Sequence, residues 1–168
     1  EGDRIGDHLA ILMIDIDHFK QINDRWGHDV GDTVLTLVAK RIGQCLRDED
    51  HLYRYGGEEF VVLAAGLDDN NASTLGKRIC SAVHDLSVPS RNNTIHTSCS
   101  IGISILNEHD SEISAVVKRA DLALYKAKQS GRNQVCCEEG DSLVKEKNER
   151  KFGLWNIVHM RIARVVQA

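Results

Sequence analysis

The chain reads as an α/β domain with one mixed β-sheet covered by helices, and three stretches of sequence predict it. "LAILMI" (residues 9–14) is a continuous apolar run, as in a strand buried on both faces. "TIHTSCSIGISI" (94–105) alternates apolar and small polar residues, which marks a strand with one apolar face. "HLYRY" and "FVVLAA" flank Gly56-Gly57, a hairpin signal. With the helical patterns between them, the order is strand, helix, hairpin, helix, strand, helix. Crossovers combined with a hairpin imply a mixed sheet and exclude a purely parallel doubly wound one.

Each element has its own warrant. The first strand ends in "DID", which carries acids to its tip. From Val30, the residues Val34, Leu37, Val38, Ile42, Cys45 and Leu46 recur at three- and four-residue steps, so a helix starts near Gly31-Asp32. Gly56 and Gly57 are expected to form a two-residue turn in which both positions use positive φ. A second helix runs from about Ala72 to Leu86, capped by Asn70 or Asn71, and a loop with Pro89 follows. In the last strand Ile95, Thr97, Cys99, Ile101, Ile103 and Ile105 face one way. Ser111 is placed to cap a third helix carrying Ile113, Val116, Val117, Ala120 and Ala127, which Gly131 ends. Residues 1–140 form one domain; 141–168 read as a charged linker, "DSLVKEKNERK", and an amphipathic helix with Phe152, Trp155, Val158, Ile162 and Val165 on one stripe.

Composition narrows the function. At 168 residues and 42% hydrophobic content, the chain can bury one proper core. Five cysteines without C-x-x-C spacing suggest neither a disulfide framework nor a zinc ribbon, and fit a reducing cytoplasm. No run approaches the roughly 20 apolar residues of a membrane span. A net charge of −4 argues against nonspecific nucleic-acid binding.

Asp15 and Asp17 lie two apart, so in a strand they share a face. Two such charges about 6.5 Å apart repel by roughly 2.5 kcal/mol at an effective dielectric of about 20, so a cation is wanted there. Glu58 and Glu59 are strand neighbours and face opposite ways, so at most one meets a ligand shared with Asp15. Hard carboxylate oxygens favour magnesium, which completes its octahedron with phosphate oxygens and water, so a nucleoside triphosphate is the natural third party. "DIDHFK" is no EF-hand, because Phe19 and Lys20 stand where ligands and glycine belong. Gly76-Lys77 is no P-loop, lacking the upstream glycine and the following Ser or Thr.

"DIDHFKQINDRWGHDVGD" (15–32), "RYGGEEF" (54–60), "CSIGIS" (99–104) and "ADLALYKAKQSGRN" (120–133), in this order, resemble the GGDEF domain, the diguanylate cyclase family. The resemblance runs from about residue 9 to 134. It implies a sheet like the nucleotidyl cyclase and polymerase palm, a ferredoxin-like fold, on which two GTP molecules are joined into cyclic di-GMP, one GTP from each domain of a homodimer. It further implies two Mg2+ ions per GTP, or Mn2+, held by Asp15, Glu58, the Ile16 carbonyl and the nearby Glu59. Glu58 and Lys20 would be the catalytic groups: Glu58, which would meet Asp15 across the site, or a metal-bound water takes the proton of the attacking 3′-hydroxyl, and Lys20 stabilises phosphate charge. Phe19 main chain, Lys20, Arg54, Lys128 and Arg132 would bind the triphosphate, Asn23 and Asp32 the guanine, and His28 a further part of the substrate. Asp17 would support the site from behind these ligands.

"RDED" (47–50) precedes "RYGGEEF" at the spacing of the family's inhibitory R-x-x-D motif. The resemblance therefore implies a product site in which Arg47, Asp50 and Arg78 hold cyclic di-GMP. The family's segment before the first strand, D-x-L-T-x-L-x-N-R, is not found ahead of Leu9, and an upstream sensory domain, with a membrane anchor in some parents, is expected. Two other readings stay open: a cyclic di-GMP receptor without turnover, signalled by a degraded "GGEEF" that is not seen here, and a related nucleotidyl cyclase, which ATP turnover would reveal.

Overall fold

A computed structural model describes residues 8–138, and the linker and helix expected over 141–168 lie outside them. A five-stranded sheet has the order β2-β3-β1-β6-β7, built from β1 (Leu9–Ile16), β2 (His51–Arg54), β3 (Glu59–Ala65), β6 (Cys99–Ile105) and β7 (Val135–Cys137). β1 pairs antiparallel with both β3 and β6, β2 antiparallel with β3, and β7 parallel with β6. The sheet is therefore mixed, as the pattern of elements requires.

β1 is central, which explains why its apolar run does not alternate. Ala10, Leu12, Ile14 and Ile16 face one core, with Val34, Val38 and Ile42 of α2 (His28–Gly43) and Leu75, Ile79 and Val83 of α3 (Asp69–His84). Ile11 and Met13 face a second, smaller core beneath α4 (Ile113–Gln129), formed with Val61, Val116, Ala120 and Leu124. α4 lies very close to the sheet: a Cβ on Gly102 would strike the main chain of Ala120 and Leu124.

Several local expectations change. α1 (Phe19–Trp26) was not expected; Phe19 and Ile22 bury it against α2, and Gly27 separates the two helices. α2 starts at His28, three residues before the expected Gly31. Asp68, and not Asn70 or Asn71, caps α3, accepting the Asn71 N–H at 2.8 Å. Glu112 precedes α4 without a side-chain cap, so Ser111 does not cap it. The loop expected around Pro89 is β4 (Ser87–Ser90), which pairs only with β5 (Asn93–His96), so the Pro89 nitrogen needs no central ladder. The long alternating stretch breaks at Thr97-Ser98, where the Ser98 carbonyl accepts the Asp17 N–H at 2.9 Å.

The hairpin tip is also different. Tyr55 and Gly56 both donate to the Glu59 carbonyl, at 2.8 and 3.3 Å, setting two residues against one as in a bulge. Neither Gly56 nor Gly57 has a positive φ. Their bareness acts through space instead: a Cβ on Gly56 would lie 2.9 Å from Glu59 Oε2, while one on Gly57 would meet nothing within 4 Å.

Candidate active site

The antiparallel ladder sets Asp15 directly opposite Glu59. Opposed residues share a face, and for Asp15 that is the face of Ile11 and Met13, covered by α4. Both carboxylates thus lie under the last turns of α4, from which Lys128 reaches down to place its Nζ 2.9 Å from Asp15 Oδ2. Asp121, seven positions before Lys128 and so two turns earlier on the same side of α4, brings another carboxylate to bear on Glu59.

These acids are poorly accommodated. Burial pushes the Asp15 carboxyl up, and Glu58 and Asp17 push it further, against the hydrogen bond and charge of Lys128. Burial and the Asp15 charge likewise raise Glu59, with Lys128 opposing. Burial raises Asp121, again against Lys128, and raises the Tyr55 phenol, to which Glu59 and Asp121 add. One ammonium does not satisfy this cluster, so its electrostatics favour a further cation.

Glu58 stands just outside the ladder. Its carbonyl accepts the Ile16 N–H at 3.2 Å, which ties the hairpin tip to the end of β1, and its side chain is half-buried. The register therefore makes Glu59 the direct partner of Asp15, where Glu58 had been expected, while the Glu58 charge remains near enough to raise the Asp15 carboxyl. Among the described residues no three His, Cys, Asp or Glu side chains converge to hold a metal ion by themselves. The donor set of Asp15, Glu58, Glu59 and the Ile16 carbonyl nevertheless fits magnesium, which takes few protein oxygens and the rest from phosphate and water.

On the other side of the β1 tip, α1 and α2 meet closely. A Cβ on Gly31 would collide with Asn23 Oδ1 and lie 3.3 Å from Phe19 Cζ. Asn23 Oδ1 is the one buried side-chain polar atom among the described residues without a hydrogen-bond partner. An unpaired buried acceptor costs about 1–3 kcal/mol. Lys20, His28 and Asp32 are exposed. Phe19 opens α1, whose first N–H groups have no partner within the helix and favour an anion.

The remaining expected phosphate contacts are placed differently from one another. Arg54 is turned onto its own hairpin, donating to Gly56 O at 3.2 Å and to Gly57 O at 2.7 Å, so it braces the tip. Arg132 is exposed on a left-handed turn after α4, where Gly131, Arg132 and Asn133 have φ of 115°, 65° and 46°. Asp17, almost fully buried, faces this turn: it accepts Ser98 Oγ at 2.6 Å, Ser100 Oγ at 2.7 Å and the Asn133 N–H at 3.0 Å.

Arg47 and Asp50 are paired with each other. Arg47 Nε and Nη2 donate to Asp50 at 3.1 and 2.7 Å, its N–H adds a third bond at 2.9 Å, and Nη2 also reaches Ala65 O. Burial would raise the Asp50 carboxyl, but these bonds hold it below the ordinary range. Asp50 is thus a buried support for a partly exposed guanidinium, with both its oxygens bonded to Arg47. Arg78 lies alongside, donating to Cys45 O at 2.5 Å.

Sequence reading missed Asp121, Ser98, Ser100 and Asn133. Asp121 had a signal, its seven-residue spacing from Lys128; the others depend on how β6 and the turn after α4 meet β1.

The comparisons agree with this geometry. A family model described as "Diguanylate cyclase, GGDEF domain" matches residues 1–134. Diguanylate cyclase A of Treponema denticola is 46% identical over 127 residues, 76% of this chain and 34% of that protein. The active GGEEF domain of a diguanylate cyclase from Vibrio cholerae superposes with a TM-score of 0.73 at 36% identity, covering 79% of this chain and 83% of that one. The GGDEF domain of DgcB from Caulobacter crescentus, solved in complex with c-di-GMP, gives 0.73 at 34% identity, covering 77% of each chain. This chain spans only about a quarter to a third of the length of the curated relatives it matches. With the expected palm-like sheet, the acid pair beside a glycine hairpin and a family match over most of its length, the chain belongs to the GGDEF family of diguanylate cyclases.

Proposed function

We propose that this chain condenses two GTP molecules into cyclic di-GMP, with release of two pyrophosphates, at an interface between two copies. The observation that carries the reading is the opposed Asp15–Glu59 pair beside the hairpin tip, with Lys128 bonded to Asp15. In each half-reaction a ribose 3′-oxygen attacks the α-phosphorus of the other GTP, a new phosphodiester bond forms and the bond to pyrophosphate breaks. A domain holding one GTP supplies one half of this exchange, so a homodimer completes it.

Asp15, Glu58, Glu59 and the Ile16 carbonyl would hold magnesium or manganese, two ions per GTP. The ions would supply charge neutralisation on the triphosphate and an acidified 3′-hydroxyl. Glu58, half-buried at the tip, accepts the proton of that hydroxyl. Lys20 and the N-terminal amides of α1 bind the phosphates, joined by Arg132 and by Lys128 once it leaves Asp15. Asn23 and Asp32 would bind guanine, and the exposed Asp32 carboxylate can accept from the N1–H and amino group that adenine does not present together. Arg47, held by Asp50, and Arg78 form the product site, at which cyclic di-GMP slows its own synthesis.

Binding of a GTP analogue with a non-cleavable α,β-bridge tests the reading. The analogue should bind with magnesium, about tenfold or more weakly without it, and an ATP analogue should fail to compete. Equal binding of the two analogues would contradict it.

A further inference from the structure

Asp17 is the most completely bonded carboxylate at the tip of β1, and none of its partners is a substrate group. Oδ1 accepts the Ser100 hydroxyl at 2.7 Å; Oδ2 accepts the Ser98 hydroxyl at 2.6 Å and the main-chain N–H of Asn133 at 3.0 Å. Asn133 is not a casual partner. It closes the turn Gly131-Arg132-Asn133, in which two non-glycine residues take the left-handed backbone that L side chains disfavour.

Such a conformation persists only where its surroundings over-determine it. Here the turn is held at several points: Arg132 N–H donates to Ala127 O at 3.0 Å, Gln134 Nε2 to the same oxygen at 3.1 Å, and the Gln134 carbonyl accepts the Ile101 N–H at 2.9 Å. Asp17 is the one of these anchors that follows directly on β1, one residue past Ile16 and two beyond Asp15. It links the strand that carries the acid cluster to the turn that carries Arg132.

We infer that Asp17 is a positioning residue, which acts through the Asn133 N–H to hold the Arg132 turn in register with Asp15. It is not a metal ligand: the hydroxyls of Ser98 and Ser100, together with Asn133, already direct three donors at its two oxygens. This rests on the proposed function for what Arg132 does, but not for the hold itself.

Substituting Asp17 by Ala and by Asn separates the two roles. Asparagine can keep an oxygen on Asn133 and turn its amide group to Ser100, whereas alanine keeps nothing. In Asp17→Ala, exchange of the Asn133 amide hydrogen should rise about tenfold or more, and Asp17→Asn should restore most of the protection. With GTP as substrate, Asp17→Ala should raise KM about tenfold with the magnesium half-saturation unchanged, and Asp17→Asn should recover most of the KM. Unchanged exchange at Asn133 in Asp17→Ala would overturn the inference. So would a magnesium half-saturation that rises equally in both variants, the behaviour of a lost ligand. If Asp17→Ala does not fold, Asp17→Asn decides alone: a protected Asn133 amide supports the hold and an exposed one overturns it. If the parent chain makes no cyclic di-GMP, the functional reading fails, and the amide exchange still decides the role of Asp17.

Discussion

Lys128 Nζ rests 2.9 Å from Asp15 Oδ2, so the cation nearest the acid cluster comes from α4, on the opposite side of that cluster from the sheet. The ammonium bonds directly to one of several raised carboxyls and offsets the others only through its charge, and a bound metal would release it toward phosphate. Lys128→Ala should therefore lower kcat/KM for GTP by about a hundredfold, in line with loss of a preorganised charge, while Lys128→Arg should be milder. Steady-state kinetics decide it; a change below about threefold would remove Lys128 from the reaction.

Glu59→Gln should trade stability for activity. Burial and the Asp15 charge raise the Glu59 carboxyl, so the folded chain holds its proton more tightly than the unfolded chain. The stabilising contribution is full below the ordinary value of 4.5 and is lost as pH rises through the higher folded value. At neutral pH without metal, the neutral glutamine should raise Tm by about 2–4 °C, and the gain should fade in acid. A lower Tm at neutral pH would count against the electrostatic account.

Arg47→Ala should act on inhibition and on stability together. Initial velocity should stay near that of the parent, while the inhibition constant for cyclic di-GMP weakens about tenfold or more. The buried Asp50 would lose both guanidinium bonds and keep only the main-chain N–H of residue 47, at a cost of about 2–3 kcal/mol. Because Arg47 holds Asp50 below its ordinary 3.8, the lost stability is the part present above that value, which wild type sheds as pH falls through the lower folded value. The variant's acid limb should accordingly be flatter in a pH series of denaturation curves.

Gly102→Ala tests the packing of α4. The added methyl would meet the main chain of Ala120 and Leu124, which have no rotamer to change, so the helix must lift from β6. A loss of about 3 kcal/mol or more is expected by denaturant titration, and α4 would carry Lys128 away from Asp15. A loss below about 1 kcal/mol would show that the helix is not so tightly seated.

The parts of the fold legible in the sequence are those with a long period. β1 shows as an unbroken apolar run because it is central, and α2 as four turns of spaced Val, Leu and Ile. α1 escaped notice because eight residues with Phe19, Ile22 and Trp26 make too short a stripe to stand apart from a polar motif. Alternation carried the reading of the last strand through Thr97-Ser98, yet alternation cannot register that the chain leaves one sheet for another at that point. The motifs placed the acids at the sheet's tip, but register is a property of paired strands. Only the ladder shows that Glu59, and not Glu58, faces Asp15. In the same way, the R-x-x-D pair reads in sequence as two free groups and in three dimensions as one bonded unit.

The most direct test of the whole account is the nucleotide product formed from GTP and magnesium, resolved by chromatography and mass, for the parent chain beside Glu58→Ala. The account predicts cyclic di-GMP and pyrophosphate from the parent and at least about a hundredfold less from the variant. Well-folded parent protein that yields no cyclic di-GMP, or a Glu58→Ala variant as active as the parent, would contradict it.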